Sequence, residues 1–401
     1  MNRREFLATT AAVTGASMLE REAALGADAR SAKAAERSDW RADFPVTQSV
    51  TYLNSAAMHP LSLPAAKAMQ EYIDAQVYRK TRDFDAERQA DLKARFARLI
   101  NAKPGEIAFV QNTSDGENIV VMGMDLPRRG GNVVLDELHF ETSLYMYKTL
   151  ESKGLQLRVV RHRDWRIDIE DMNKAIDRNT RLVSMALVSN VNGYLHDARA
   201  IADLAHAKGA YVFADMVQAC GAVPVDVRAM GIDFGSTATY KWLMGERGFG
   251  FLYVREDLQG TVVPTTRYGH RQLAKFDRVN IQWEPLPGAA KYETGTIPNG
   301  LAACAYRSLQ YIDDIGGLAA IRAHARPLVD RLQRELPKKG YKAVTPAGTE
   351  TPIVAFEAGD VDALVKKLAA SKIAATVIPD EKRLRLSVSV FNNDEDRKSV
   401  V

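Results

Sequence analysis

Between residues 106 and 254 the chain alternates short apolar runs with amphipathic ones, and few folds accommodate that rhythm. EIAFV, NVVLD, LQLRVV, RLVSMALVS and AYVFAD are short and rich in β-branched and aromatic residues, so they read as strands. Between them, DGENIVVMGMDL, SLYMYKTLESKG, IEDMNKAIDR and ARAIADLAHAKG carry apolar residues at helical spacing, and glycines follow two of these runs (Gly154, Gly209). The alternation predicts βαβ units, hence an α/β domain with a large, mostly parallel sheet and helices on both faces. A further strand pair, DFGST and GFGFLYV, brackets Lys241. From about residue 300 the pattern becomes two long helices, short strands, a helix (VDALVKKLAAS) and a last strand (RLRLSVSVF), which predicts a smaller α+β C-terminal domain. At 401 residues the chain exceeds one small core. The expected division is 1–30 as a leader, 31–60 as an N-terminal segment, 61–300 as the large domain and 301–401 as the small one. The stretch 260–292 lacks periodicity. Long irregular loops in compact domains are usually functional, so its Arg267, Tyr268, His270 and Arg271 are candidates for pocket specificity.

Charge and cysteine usage remove several function classes. Lys plus Arg number 54 against 50 Asp plus Glu, a near balance that gives no clustered basic face for nucleic acid. Cys220 and Cys304 build neither a disulfide framework nor a zinc spacing. No histidine pair has helical ligand spacing, so no protein-built metal site is expected. At the N-terminus, Arg3 and Arg4 precede Phe6 and Leu7, a mild Ala/Thr/Gly stretch and small residues near Ala27 and Ala29. This resembles a twin-arginine export signal and implies delivery of the folded protein to the periplasm by the twin-arginine translocase. The stretch is too short and too weakly apolar for stable membrane insertion.

Residues able to do chemistry stand at the ends of successive predicted strands, where α/β folds bind ligands. Asn112, Thr113 and Ser114 follow EIAFV and open a helix, whose free N–H groups and dipole suit a phosphate. His139 and Phe140 follow NVVLD, and either can cover an aromatic ring, with His139 the preferred one. Asn190 follows the buried run RLVSMALVS and can bond a ring hydroxyl or a carboxylate. Asp215 closes AYVFAD, Gln218 lies just beyond, and Lys241 follows DFGST. Each taken alone also suits a cap, a turn or the surface. Together they are a phosphate cradle, an acid, two amides, a ring cover and a lysine, the parts that pyridoxal 5′-phosphate needs.

The string from Val188 to Val254 carries a family likeness. It resembles the aminotransferase class V family of fold-type I pyridoxal-phosphate enzymes, which includes cysteine desulfurases, selenocysteine lyases, kynureninases and isopenicillin N epimerase-like proteins. The resemblance covers roughly residues 45–395. It implies that Lys241 is the Schiff-base lysine, Asp215 the partner of the ring nitrogen, and Gln218 and Asn190 contacts of the ring hydroxyl. Thr113 and Ser114, with Asn112, would hold the phosphate. The family's Ser-x-His before the lysine is replaced by Ala238–Thr239–Tyr240, so Ser236, Thr239 or Tyr240 substitutes in the phosphate shell. Thr296, in Glu-Thr-Gly-Thr, matches a threonine that reaches a neighbouring subunit's phosphate and implies a homodimer. Arg385 matches the arginine that takes the substrate α-carboxylate, with Asn54 and His270 as further substrate contacts. Desulfurases carry a nucleophilic cysteine shortly before that arginine, whereas AATVIPDEKRLRLS has none. The expectation is therefore transamination or epimerisation at Cα of an amino acid or a metabolite derived from one. C–S lyase (β-elimination) or decarboxylation is the alternative, and persulfide-forming desulfuration is excluded. An inactive pyridoxal-phosphate-binding protein is the reading from another class.

Overall fold

The computed structural model describes residues 40–79, 84–264 and 267–398, so residues 1–30, expected to be an export signal, lie outside the described residues. In chain order, β1 (Thr51–Tyr52), α1 (Leu63–Asp74) and α2 (Ala86–Leu99) precede β2 (Ile107–Val110). Then come α3 (Thr113–Gly123), β3 (Asn132–Asp136), α4 (Glu141–Leu150), β4 (Gln156–Val160), α5 (Ile169–Ala175), β5 (Thr180–Ala186), α6 (Ala198–Ala207), β6 (Tyr211–Asp215), β7 (Phe234–Ala238) and β8 (Gly250–Val254). Strands β2 to β8 form one seven-stranded sheet in the order β2-β8-β7-β6-β5-β3-β4, and only β8 runs against its neighbours. The inner strands read as unbroken apolar runs because both sheet faces are covered. Buried side chains pack on each face, among them Phe96 of α2, stacked on Phe251 at 4.0 Å. One close approach sets how α3 crosses the sheet. A side-chain carbon at Gly116 would lie 2.7 Å from Ser236 Cβ on β7, so only glycine fits there.

After β8 come β9 (Leu273–Asp277), β10 (Gln282–Pro285), α7 (Asn299–Asp314), α8 (Gly317–Glu335), β11 (Ile353–Glu357), α9 (Val361–Ala370), β12 (Ile373–Ala374), β13 (Thr376–Ile378), β14 (Arg383–Ser387) and α10 (Asp394–Lys398). Strands β11, β14 and β13 make the small antiparallel sheet. Its Leu384, Leu386, Val354 and Phe356 pack with α8 residues Leu328, Val329 and Leu332. The final strand stops at Ser387 although apolar residues continue, because Ser389 and Asn392 bond to each other in a turn.

Two features differ from the linear reading. The stretch 260–292 holds the antiparallel hairpin β9–β10. Both strands are largely exposed, so burial imposes no alternation that the sequence could show. Residues 40–60 form a strap between the two domains. β1 pairs in parallel with β12, the Ala56 N–H donates to Ser387 Oγ at 2.8 Å, and the His59 N–H donates to the Tyr240 carbonyl at 2.9 Å.

Candidate active site

Strands β3, β5, β6 and β7, with the start of α3, open onto one cavity of about 410 Å³. Thr113 and Ser114 line it at the N-terminus of α3, after Asn112, whose Oδ1 caps the helix by accepting from the Asp115 N–H at 2.9 Å. The first N–H groups of a helix lack intrahelical partners, so this wall suits an anion. Opposite lie Asn190, Asp215, Gln218, Tyr240 and Lys241. Small apolar residues (Ala186, Val188, Ala238) leave room between the polar groups.

Lys241 is 7% exposed, and burial pushes its ammonium down to about 8. The carboxylate of Asp215 opposes that shift, and the positive charge of Arg385 adds to it. Asp215 is raised above the usual carboxylate range by burial, against the pull of His139, the Val217 N–H and Lys241. A cationic ring nitrogen beside it would favour the ionised form. Arg385, 6% exposed, reaches from the small domain. Its Nη1 donates to the Asn190 carbonyl at 2.6 Å and its Nη2 to Thr376 Oγ1 at 3.2 Å. Thr376 in turn donates to Asn54 Oδ1 at 2.5 Å, which brings Asn54 to the same edge.

Other expected residues stand elsewhere. Phe140, not His139, is in the cavity wall, with Lys241 Nζ 6.0 Å from its ring centre. His139 turns into the core, where Nδ1 accepts from the Phe140 N–H at 2.8 Å and Nε2 lies 3.1 Å from Ser184 Oγ. Ser236 and Thr239 bond to main-chain carbonyls of Phe251 and Glu246 and do not line the cavity. Thr296 and His270 are exposed and away from it. The amide of Gln218 is engaged, donating to the Ala56 carbonyl at 2.9 Å and accepting from Trp242 Nε1 at 2.8 Å. From the 260–292 stretch, Arg267 pairs with Asp115 at the start of α3, while Arg271 pairs with Glu293.

Sequence reasoning missed Glu117. Buried on α3, it accepts from Ser143, Tyr147 and Ser184, at 2.6, 2.9 and 2.8 Å, and so ties the cradle helix to α4 and β5. Its only signal was an acid among apolar positions of that helix. His59 of the strap was also missed. It is buried, held down at about 4 by desolvation, and 2.7 Å from Ser389 Oγ.

The residues present fit pyridoxal 5′-phosphate. An anion-binding helix start faces a buried acid and a buried lysine of lowered pKa, and the buried Asn190 Oδ1 has no hydrogen-bond partner among the described residues. Comparison with known proteins agrees. Residues 51–377 match the aminotransferase class-V family, and the chain belongs to it. Its cofactor is pyridoxal 5′-phosphate, and it is an enzyme of that class. A probable cysteine desulfurase of Methanothermobacter thermautotrophicus is 32% identical over 310 residues, 73% of this chain and 74% of that protein. The uncharacterized aminotransferase YcbU of Bacillus subtilis is 28% identical over 371 residues, 90% of this chain and 95% of its own. The apo cysteine desulfurase of Thermococcus onnurineus NA1 superposes with a TM-score of 0.79 at 24% identity, covering 90% of this chain and 95% of that one, and shows the same fold.

These relatives correct the functional expectation. Excluding persulfide-forming desulfuration, in favour of transamination or epimerisation, rested on the missing loop cysteine. Relatives named cysteine desulfurases overturn it.

Proposed function

We propose that the protein removes sulfur from an L-cysteine-type amino acid. The observation that carries this reading is the match, over nearly three quarters of the chain, to a relative named as a probable cysteine desulfurase. The cavity chemistry supports it. Arg385 is placed to take the substrate α-carboxylate through charge-assisted hydrogen bonds. The buried Lys241 amine, which burial lets shed its proton near pH 8, accepts the proton from Cα and returns one to the product. Phe140 would cover one ring face and exclude water, while Thr113 and Ser114 would hold the phosphate. When bound there, pyridoxal phosphate supplies an electron sink for the negative charge that builds at Cα.

The sulfur needs an acceptor. Cys220 and Cys304 are buried, absent from the cavity wall, and pushed up by desolvation, Cys304 to about 11, so neither offers a thiolate there. The acceptor in this reading is a second thiol from solution. The Cβ–S bond breaks, the sulfur joins the acceptor as a persulfide, and Cβ gains a proton to give L-alanine. Incubating holoenzyme with L-cysteine and excess dithiothreitol should yield alanine and sulfide one to one, because dithiothreitol reduces the persulfide and leaves as its disulfide; without dithiothreitol the sulfur should stay as persulfide and sulfide should fall below alanine. Absence of alanine at saturating cofactor and thiol refutes the proposal.

A further inference from the structure

Strand β14 presents two arginines on one side. Arg383, Arg385 and Ser387 alternate with Leu384 and Leu386, which belong to the small-domain core. Ser387 marks the deep end, because its Oγ accepts from the Ala56 N–H. Arg385 is in the middle, bonded to Asn190. Arg383 is at the outer end, next to the turn that carries Glu381.

Arg383 is 5% exposed, yet its Nε has no partner among the described residues. Among the described residues its one ion pair is with Glu381, whose side chain is 53% exposed. Its cross-strand neighbours leave it unserved. Ile378 is apolar, and Glu357 is bonded to Lys342 at 2.7 Å. A buried guanidinium needs its donors matched, and a second guanidinium on the same face adds repulsion. That repulsion is felt, since Arg385 is lowered to about 10 by burial and then by the charge of Arg383. Two like charges held together with spare donors form a place for a dianion.

We propose that Arg383 favours, among cysteine-type amino acids, those whose sulfur arm ends in a second acidic group beyond the α-carboxylate, with Glu381 holding its place until that group arrives. The inference rests on Arg385 as the α-carboxylate site. Residues two apart on a strand lie ~7 Å apart, so the ligand presents its second carboxylate at about that distance from the first. S-carboxymethyl-L-cysteine, with its carboxylates at the two ends of a thioether arm, is a suitable probe. S-methyl-L-cysteine is its neutral counterpart.

The test is a binding titration of both probes against holoenzyme, followed by cofactor absorbance and by calorimetry. The carboxymethyl probe should bind about tenfold or more tighter than the methyl probe, the worth of one charge-assisted pair. In Arg383→Leu the ratio of the two dissociation constants should collapse to near one, and Arg383→Lys should retain part of it. Glu381→Gln should raise the ratio, and it serves the test if the leucine variant does not fold. A wild-type ratio of one overturns the proposal, as does an Arg383→Leu variant that weakens both probes alike, the mark of a structural role. Binding is read without turnover, so failure of the desulfuration reading would appear only in the alanine assay.

Discussion

Burial lowers the Lys241 ammonium to about 8, and this sets when the side chain can act as a nucleophile. Only the neutral amine attacks an aldehyde, so capture of pyridoxal phosphate by apo-protein should quicken with rising pH. The rate should climb about tenfold per pH unit below 8 and level off above it. Stopped-flow absorbance would show this, and a rate still climbing at pH 10 would mean an unshifted lysine. The position of Lys241 was legible because it follows a strand end within a string of family likeness. The ring cover was not. Period-2 logic governs strands, but Asp136 Oδ1 accepts from the Leu138 N–H and turns the chain just past β3. That turn decides that Phe140 and not His139 faces Lys241.

Among elements, α3 carries the cavity wall formed by Thr113 and Ser114, and its height over the sheet is set by Gly116. Gly116→Ala should destabilise the protein by about 1–3 kcal/mol through overpacking against Ser236, read as a fall in thermal midpoint. Adding Ser236→Gly should recover most of the loss. An unchanged midpoint in the single variant would show that the helix can lift without cost. Strands β2 to β8 could be read from the sequence because burial on both faces writes apolar runs. Hairpin β9–β10 could not, since exposed strands carry no such record. The network under Glu117 was equally hidden, because its partners Ser143, Tyr147 and Ser184 come from elements that only the fold brings together.

For the molecule as a whole, the change of rhythm near residue 300 separates the strands of the seven-stranded sheet from those of the three-stranded one, whereas the strap of residues 40–60 had no linear signal. The missing loop cysteine misled the functional reading, because a chain's inventory says nothing about thiols that arrive from solution. A homodimer remains a proposal. Its support is the exposed Thr296, the family likeness around it, and the apolar Trp283 and Ile281, 62% and 63% exposed on or beside the hairpin. Light scattering at micromolar concentration should give twice the chain mass, and a monomer would refute it. The contact between Trp242 and Gln218 has a consequence of its own. One of the chain's four indoles adjoins the lysine and donates its N–H to a glutamine at the cavity wall. The chain thus carries a native fluorophore beside the cofactor cavity, and quenching of its emission should report cofactor binding without any added dye.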